Sequence, residues 1–297
     1  MQKIGLTLGG GGARGLCHIK FLEVLEAMEL KPAIISGTSI GAIVGAFVAC
    51  GFKSDDIKKL LDQLGLLEIK EAKKTENPKN KIGNFFKEKI NDLKEVYEKV
   101  ENVPKIFDLT FFSNISILKG KKIEKFFQKN LPAKTFEELD IPLKIVATNY
   151  WEQKQVVFDS GDLIPAIRAS MSIPGVFHPV TIDDEIYIDG GITNNLPFDI
   201  IRDDCDLLIA IDVSGKEVKP ENNKNCIPNW FDNIMTSFEI LQASIIRYQL
   251  EINKPDIYMK PGLLNIKILD FHKTRQILNS VENDVKNFKE LLTKKIK

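Results

Sequence analysis

Residues 3–50 pass twice from a short apolar run, through a glycine-rich turn, into a segment with helical spacing. The first pass is KIGLTL (3–8), GGGG, then ARGLCHIKFLEVLEAMEL (13–30), where Leu16, Ile19, Leu22, Val24, Leu25 and Met28 recur at helical spacing. The second is AIIS (33–36) followed by SIGAIVGAFVAC (39–50), apolar nearly all round and so central. This β-α-β-α order predicts parallel strands covered by helices, an α/β fold. Loops that follow adjacent parallel strands leave the sheet at the same edge, so the two glycine turns are expected side by side.

The second turn carries Gly37-Thr38-Ser39-Ile40-Gly41, a match to G-x-S-x-G. That pattern marks a serine nucleophile on a strained strand-to-helix turn; its plainer reading is a helix N-cap. A serine hydroxyl needs a neighbour to take its proton, and the three histidines are His18, His178 and His272. His18 lies one turn into the first helix and is expected to pack on it. His178 is followed by Pro179 near the start of a strand and faces the site in one reading. His272 lies near the terminal helix and would need an acid before it, such as Asp212 or Asp189. Asp189 is itself a candidate: it closes an apolar strand segment and precedes Gly190-Gly191, which permit positive φ and close backbone approach. An ordinary aspartate near 3.9 is a feeble base, but burial raises the carboxyl pKa. On the residues alone these alternatives stay open.

The first turn has two candidate jobs. Gly10, Gly12 and Gly15 satisfy G-x-G-x-x-G, but a dinucleotide site also wants an acid about 20 residues on, at the end of the second strand. That strand ends IISGTS, and Glu29 lies before it. The other job is anion stabilisation: the backbone N–H groups of Gly10, Gly11 and Gly12, with the following helix, form a concavity suited to an oxyanion. Arg14 adds a positive charge or a structural salt bridge, and these readings are compatible.

Further along, LKIVATNY (143–150) reads as a strand, QVVFD (155–159) as its partner, and DLIPAIRASMSI (162–173) as a helix ended by Pro174. HPVTIDDEIYIDGG (178–191) reads as a hairpin around Asp183-Asp184. DLLIAIDVS (206–214) is a buried strand, 230–251 a long helix, DIYMKP (256–261) and IKILD (266–270) short strands, and 273–295 an amphipathic helix. Residues 66–118 stand apart: a charged linker (68–81), then an amphipathic helix (82–100) with a lysine-rich polar side, read as a surface helix or as a lid or membrane-contact helix. FDLTFFSNISILKG (107–120) lines an apolar channel or fills core.

With 297 residues, 43% hydrophobic, the chain has material for a large core. Lys+Arg and Asp+Glu are 41 each, which argues against a dedicated nucleic-acid binder. Cys17, Cys50, Cys205 and Cys226 form no C-x-x-C pair and read as buried free thiols of a reducing compartment. No signal peptide and no run of roughly 18 apolar residues is present, so a cytoplasmic protein is expected, with a peripheral contact at the inner face of a membrane.

Four motifs in this order, GGGGARG, GTSIG, RASMSIPGVFHPV and DGG, resemble the patatin-like phospholipase family through most of residues 1–214. The resemblance implies a three-layer α/β/α fold with a central, mostly parallel sheet. It implies one patatin-like domain over 1–297, with its core at 1–65 and 119–214, a helical insertion at 66–118 and a C-terminal helical extension from about 228. It implies a serine acyl hydrolase of lipid esters, with Ser39 as nucleophile, Asp189 as base, Gly10, Gly11 and Gly12 as oxyanion hole, and Arg14 in the same motif. No metal or cofactor and no nucleic acid is expected; the expected partner is a lipid or acyl-ester substrate. A lipid-binding module with little turnover, or an esterase or thioesterase of soluble acyl substrates, are the alternatives.

Overall fold

A computed structural model describes residues 2–63, 120–216, 218, 227, 228 and 230–296. The readings made for 66–119, and that of Cys226, lie outside the described residues. Eight described strands form one sheet: β1 (Ile4–Leu8), β2 (Ile34–Thr38), β3 (Leu143–Asn149), β4 (Lys154–Phe158), β5 (Val180–Ile182), β6 (Glu185–Asp189), β7 (Leu207–Ile211) and β8 (Ile257–Met259). The order is β5-β6-β3-β2-β1-β7-β8, with β4 also on β3. From β3 to β8 neighbours run parallel; β4, β5 and β6 are antiparallel.

The two sheet faces are covered separately, which gives three layers. Ile4, Leu6 and Leu8 of β1 and Leu207, Ile209 and Ile211 of β7 point into one core. It is filled from α1 (His18–Ala27), α2 (Ile40–Ala49) and α5 (Leu163–Ser170). α3 (Ser54–Gln63) and α4 (Lys121–Asn130) extend this layer. On the other face Leu208 and Ala210 pack with Leu196, Phe198, Ile201 and Ile246, the last from α6 (Trp230–Ile252). β1 and β7 are buried along their whole length, as parallel strands covered on both faces must be. No helix among the described residues is long and apolar enough to cross a membrane.

The α/β reading and the hairpin hold in detail. Asp183 and Asp184 have φ of 49° and 64°, the double positive φ that a two-residue hairpin turn with right-handed strand twist requires. Three boundaries differ. Residues 12–17 form a 3-10 turn before α1 begins at His18, tightened at its start by the Arg14 N–H donating to the Gly11 carbonyl at 3.2 Å. Residues 266–270 form no strand; the Ile268 carbonyl instead accepts the Ala13 N–H at 2.8 Å. The terminal helix is broken at Val281 into α7 (Thr274–Ser280) and α8 (Glu282–Lys295).

The register of β3 with its neighbours brings the ends of β2 and β6 together. β3 gives one edge to β4 over Ile145–Asn149. Its opposite edge is shared: Thr38 of β2 pairs with Val146, and Asp189 of β6 pairs with the next residue, Ala147. β2 and β6 therefore meet end to end, and the residues that leave them are neighbours.

Candidate active site

Ser39 is the residue between β2 and α2. Its backbone has φ 54° and ψ −120°, a region that costs an L-residue about 1–3 kcal/mol. The flanking glycines explain why the chain accepts it. A Cβ on Gly41 would overlap the Leu8 carbonyl oxygen, and one on Gly37 would lie 2.6 Å from the Gly41 carbonyl. The α2 N-terminus is thus pressed against the ends of β1 and β2, and the turn has no room to relax. The Ser39 N–H donates to Ser170 Oγ at 2.8 Å, which anchors the turn to α5.

Asp189 ends β6, 5% exposed. Its N–H donates to the Ser172 carbonyl at 3.0 Å, and its carbonyl accepts from Thr148 Oγ1 at 3.0 Å. Oδ1 accepts the Gly191 N–H at 2.7 Å, while Oδ2 is buried without a hydrogen bond among the described residues. Burial pushes the carboxyl pKa up to about 7; the Gly191 N–H and the neighbouring Ser39 side chain pull it back by less. Ser39 therefore acts on this carboxyl from close by, and Oδ2 is the oxygen with room to take a proton. Gly190 and Gly191 do not adopt positive φ. They are needed for close approach: a Cβ on Gly190 would overlap the Val146 carbonyl oxygen, and one on Gly191 would lie 2.7 Å from Asn195 Oδ1.

The glycine loop reaches the same place. A Cβ on Gly10 would lie 3.4 Å from Ser39 Cβ. The Gly10 N–H, however, is already engaged, donating to the Asn195 carbonyl at 2.9 Å. Gly11 and Gly12 line the cavity beside Ser39, and among the described residues their N–H groups donate to no backbone carbonyl. Gly12 has φ 56°, and a Cβ there would overlap the Ile268 carbonyl oxygen. Arg14 is 2% exposed. Its guanidinium is held by Glu239 of α6 at 3.0 and 3.2 Å and donates from Nε to the Gly11 carbonyl at 3.3 Å. Arg14 forms the salt bridge and also lines the cavity.

No histidine lines the cavity. His18 is buried against the Gly9 carbonyl at 2.9 Å, and burial lowers its pKa to about 4, so it is neutral at pH 7. His178 is half-buried outside the cavity lining, and His272 is 49% exposed beside Asp270. Asp212 is occupied by Tyr258 Oη at 2.7 Å and Lys260 Nζ at 3.3 Å. The order serine, acid, histidine therefore assembles no triad here. α6 adds Met235, Phe238, Glu239 and Gln242 to the cavity wall. The sequence reading missed these and Asn195, because nothing local in a 23-residue helix or a loop asparagine signals a partner so far along the chain. The cavity measures about 40 Å³ and opens to solvent.

A strained serine, a buried aspartate beside it and unspent glycine amides over one cavity make an arrangement suited to nucleophilic acyl transfer. Residues 6–202 match the family model Patatin-like phospholipase, and the chain belongs to that family. An uncharacterised NTE family protein of Mycobacterium tuberculosis is 30% identical over 80% of this chain and 57% of its own length. The lysophospholipase NTE1 of Kluyveromyces lactis is 26% identical over 93% of this chain and 18% of its own length. The crystal structure of VipD from Legionella pneumophila shares the fold, with a TM-score of 0.52 and 16% identity over 99% of this chain and 67% of that one. The chain thus spans little more than half the length of the bacterial relative and about a fifth of the yeast one.

Proposed function

We propose that this protein is a serine acyl hydrolase of lipid acyl esters, phospholipase- or lysophospholipase-like, acting through Ser39 and Asp189 without a catalytic histidine. The observation that carries the reading is the Asp189 carboxyl: buried beside the strained Ser39, with its pKa pushed up to about 7. A base with a pKa near the working pH combines a large ionised fraction with real proton affinity. Family membership supports the lipid ester as substrate class.

In the first step Ser39 Oγ attacks the ester carbonyl carbon and its proton passes to Asp189 Oδ2, the oxygen left unbonded by Gly191. The oxyanion takes the N–H groups of Gly11 and Gly12. The ester C–O bond breaks, the leaving alkoxide takes the proton from Asp189, and an acyl-serine remains. In the second step Asp189 takes a proton from water, whose oxygen attacks the acyl carbon, and returns it to Ser39 Oγ as the fatty acid leaves. Gly191 N–H, the Thr148 hydroxyl and the Ser172 carbonyl hold Asp189 in place, a role a third catalytic residue fills elsewhere.

The test is mass spectrometry after a fluorophosphonate probe, with ester turnover measured in parallel. Wild type is expected to carry one adduct, on Ser39. Ser39→Ala and Asp189→Asn are expected to lose about 10⁴-fold in kcat and to keep their fold. An unchanged rate in Ser39→Ala would sink the proposal; full activity in Asp189→Asn would return the base to His178. Bound lipid recovered intact, without cleavage, would favour a binding module.

A further inference from the structure

We propose that Asn195 is a positioning residue for the oxyanion hole: its side chain holds the Gly10–Gly11 peptide in the one orientation that turns the Gly11 N–H toward the reacting carbonyl. The inference rests on the hydrolase reading above.

In a trans peptide the carbonyl and the following N–H lie in one plane and point to opposite sides. Whatever holds the Gly10 carbonyl therefore also aims the Gly11 N–H, and whatever holds the Gly11 carbonyl aims the Gly12 N–H. The Gly11 carbonyl is held twice, by the Arg14 backbone N–H at 3.2 Å and by Arg14 Nε at 3.3 Å. The Gly10 carbonyl is held by Asn195 Nδ2 at 3.0 Å. A plane between two glycines rotates with little steric resistance, so this side-chain bond is the restraint on the first donor.

Asn195 is suited to the task because it is itself fixed. It is 3% exposed, and its carbonyl accepts the Gly10 N–H at 2.9 Å. Asn195 and Gly10 thus exchange two hydrogen bonds, one through the main chain and one through the side chain. Asn195 Oδ1 occupies the space where a Cβ on Gly10 or Gly191 would stand, which explains why both positions are glycine. Because Asn195 follows Asp189 in one short segment, the clamp also ties the oxyanion loop to the base. A buried carbonyl that loses its partner turns toward another donor, and the Gly11 N–H would turn with it.

The experiment compares wild type, Asn195→Asp and Asn195→Ala. Asn195→Asp keeps the shape and sets an acceptor against the Gly10 carbonyl; Asn195→Ala serves if that variant does not fold. In both, the main-chain bond to Gly10 survives. The expected results are a kcat lower by about 10²-fold with KM for a short-chain ester nearly unchanged. Affinity for a trifluoromethyl ketone, whose adduct on Ser39 carries the oxyanion, falls by the same factor. Crystals of the variants show the Gly10 carbonyl rotated. A merely structural role lowers thermal stability and leaves kcat and inhibitor affinity uncoupled. An unmoved Gly10–Gly11 peptide, or an unchanged kcat in a folded variant, overturns the inference. If wild type itself turns over no ester, the hydrolase reading falls, and the orientation of the peptide in the variant crystals still decides the role of Asn195.

Discussion

At Asp189 a single buried carboxyl sets both reactivity and a cost in stability. Its pKa, pushed up to about 7 by burial, predicts that kcat/KM for ester hydrolysis falls on the acid side with a midpoint near 7 and not near 4, read from a pH–rate profile. The stability consequence has the opposite sense. The folded state binds the Asp189 proton more tightly than the unfolded chain, so its contribution is present below about pH 4 and is lost as pH rises through about 7. Asp189→Asn is therefore expected to be more stable than wild type at pH 8 and about equal to it at pH 3.5, measured by urea unfolding at both. At Gly41, where a Cβ would overlap the Leu8 carbonyl oxygen, alanine is expected to cost about 3 kcal/mol and to abolish labelling of Ser39. The cost comes from moving α2 off the strand ends, which undoes the turn that presents the hydroxyl.

At the scale of elements, α6 joins two functions. Its Ile246 is part of the core on one sheet face, and its Met235, Phe238, Glu239 and Gln242 bound the cavity. Glu239 neutralises the buried Arg14, and Arg14 in turn supports the Gly11 carbonyl. Glu239→Ala leaves that guanidinium buried without its carboxylate, a change expected to cost about 3 kcal/mol in unfolding free energy. Phe238 is the bulkiest side chain that α6 places on the cavity wall, so it narrows the space open to a long acyl chain. Phe238→Ala is expected to raise the labelling rate of Ser39 by a long-chain fluorophosphonate more than by a short one, followed by mass spectrometry against time.

At the scale of the whole molecule, the C-terminal end closes the layer that the N-terminal end begins. Phe288 of α8 is fully buried and meets Phe21 of α1 edge to face, with ring centroids 5.3 Å apart. Phe288→Ala is expected to cost about 3–5 kcal/mol, checked by chemical denaturation, and to leave the geometry at Ser39 intact in crystals. The sheet performs the other long-range task. Because β2 and β6 share one edge of β3, residues separated by about half of the chain, Ser39 and Asp189, become neighbours.

What could be read without a structure follows from local sterics. Gly37 leaves room for the Gly41 carbonyl four residues on, GGGG carries no side chains to cover its amides, and Asp183-Asp184 accept the positive φ of a tight hairpin. Such constraints act over a few residues, so the order of residues alone determined the α/β class, the serine turn, the glycine loop and the candidate aspartate. Which amides are engaged, where Arg14 goes and what holds the loop follow from packing between distant segments. The Gly10 N–H is spent on Asn195, Arg14 is claimed by Glu239, and 266–270 serves the loop instead of the sheet. Those outcomes depend on hydrogen-bond partners more than 180 residues away in the chain, and the geometry of a buried polar group is set by whichever partner packing brings within about 3 Å of it.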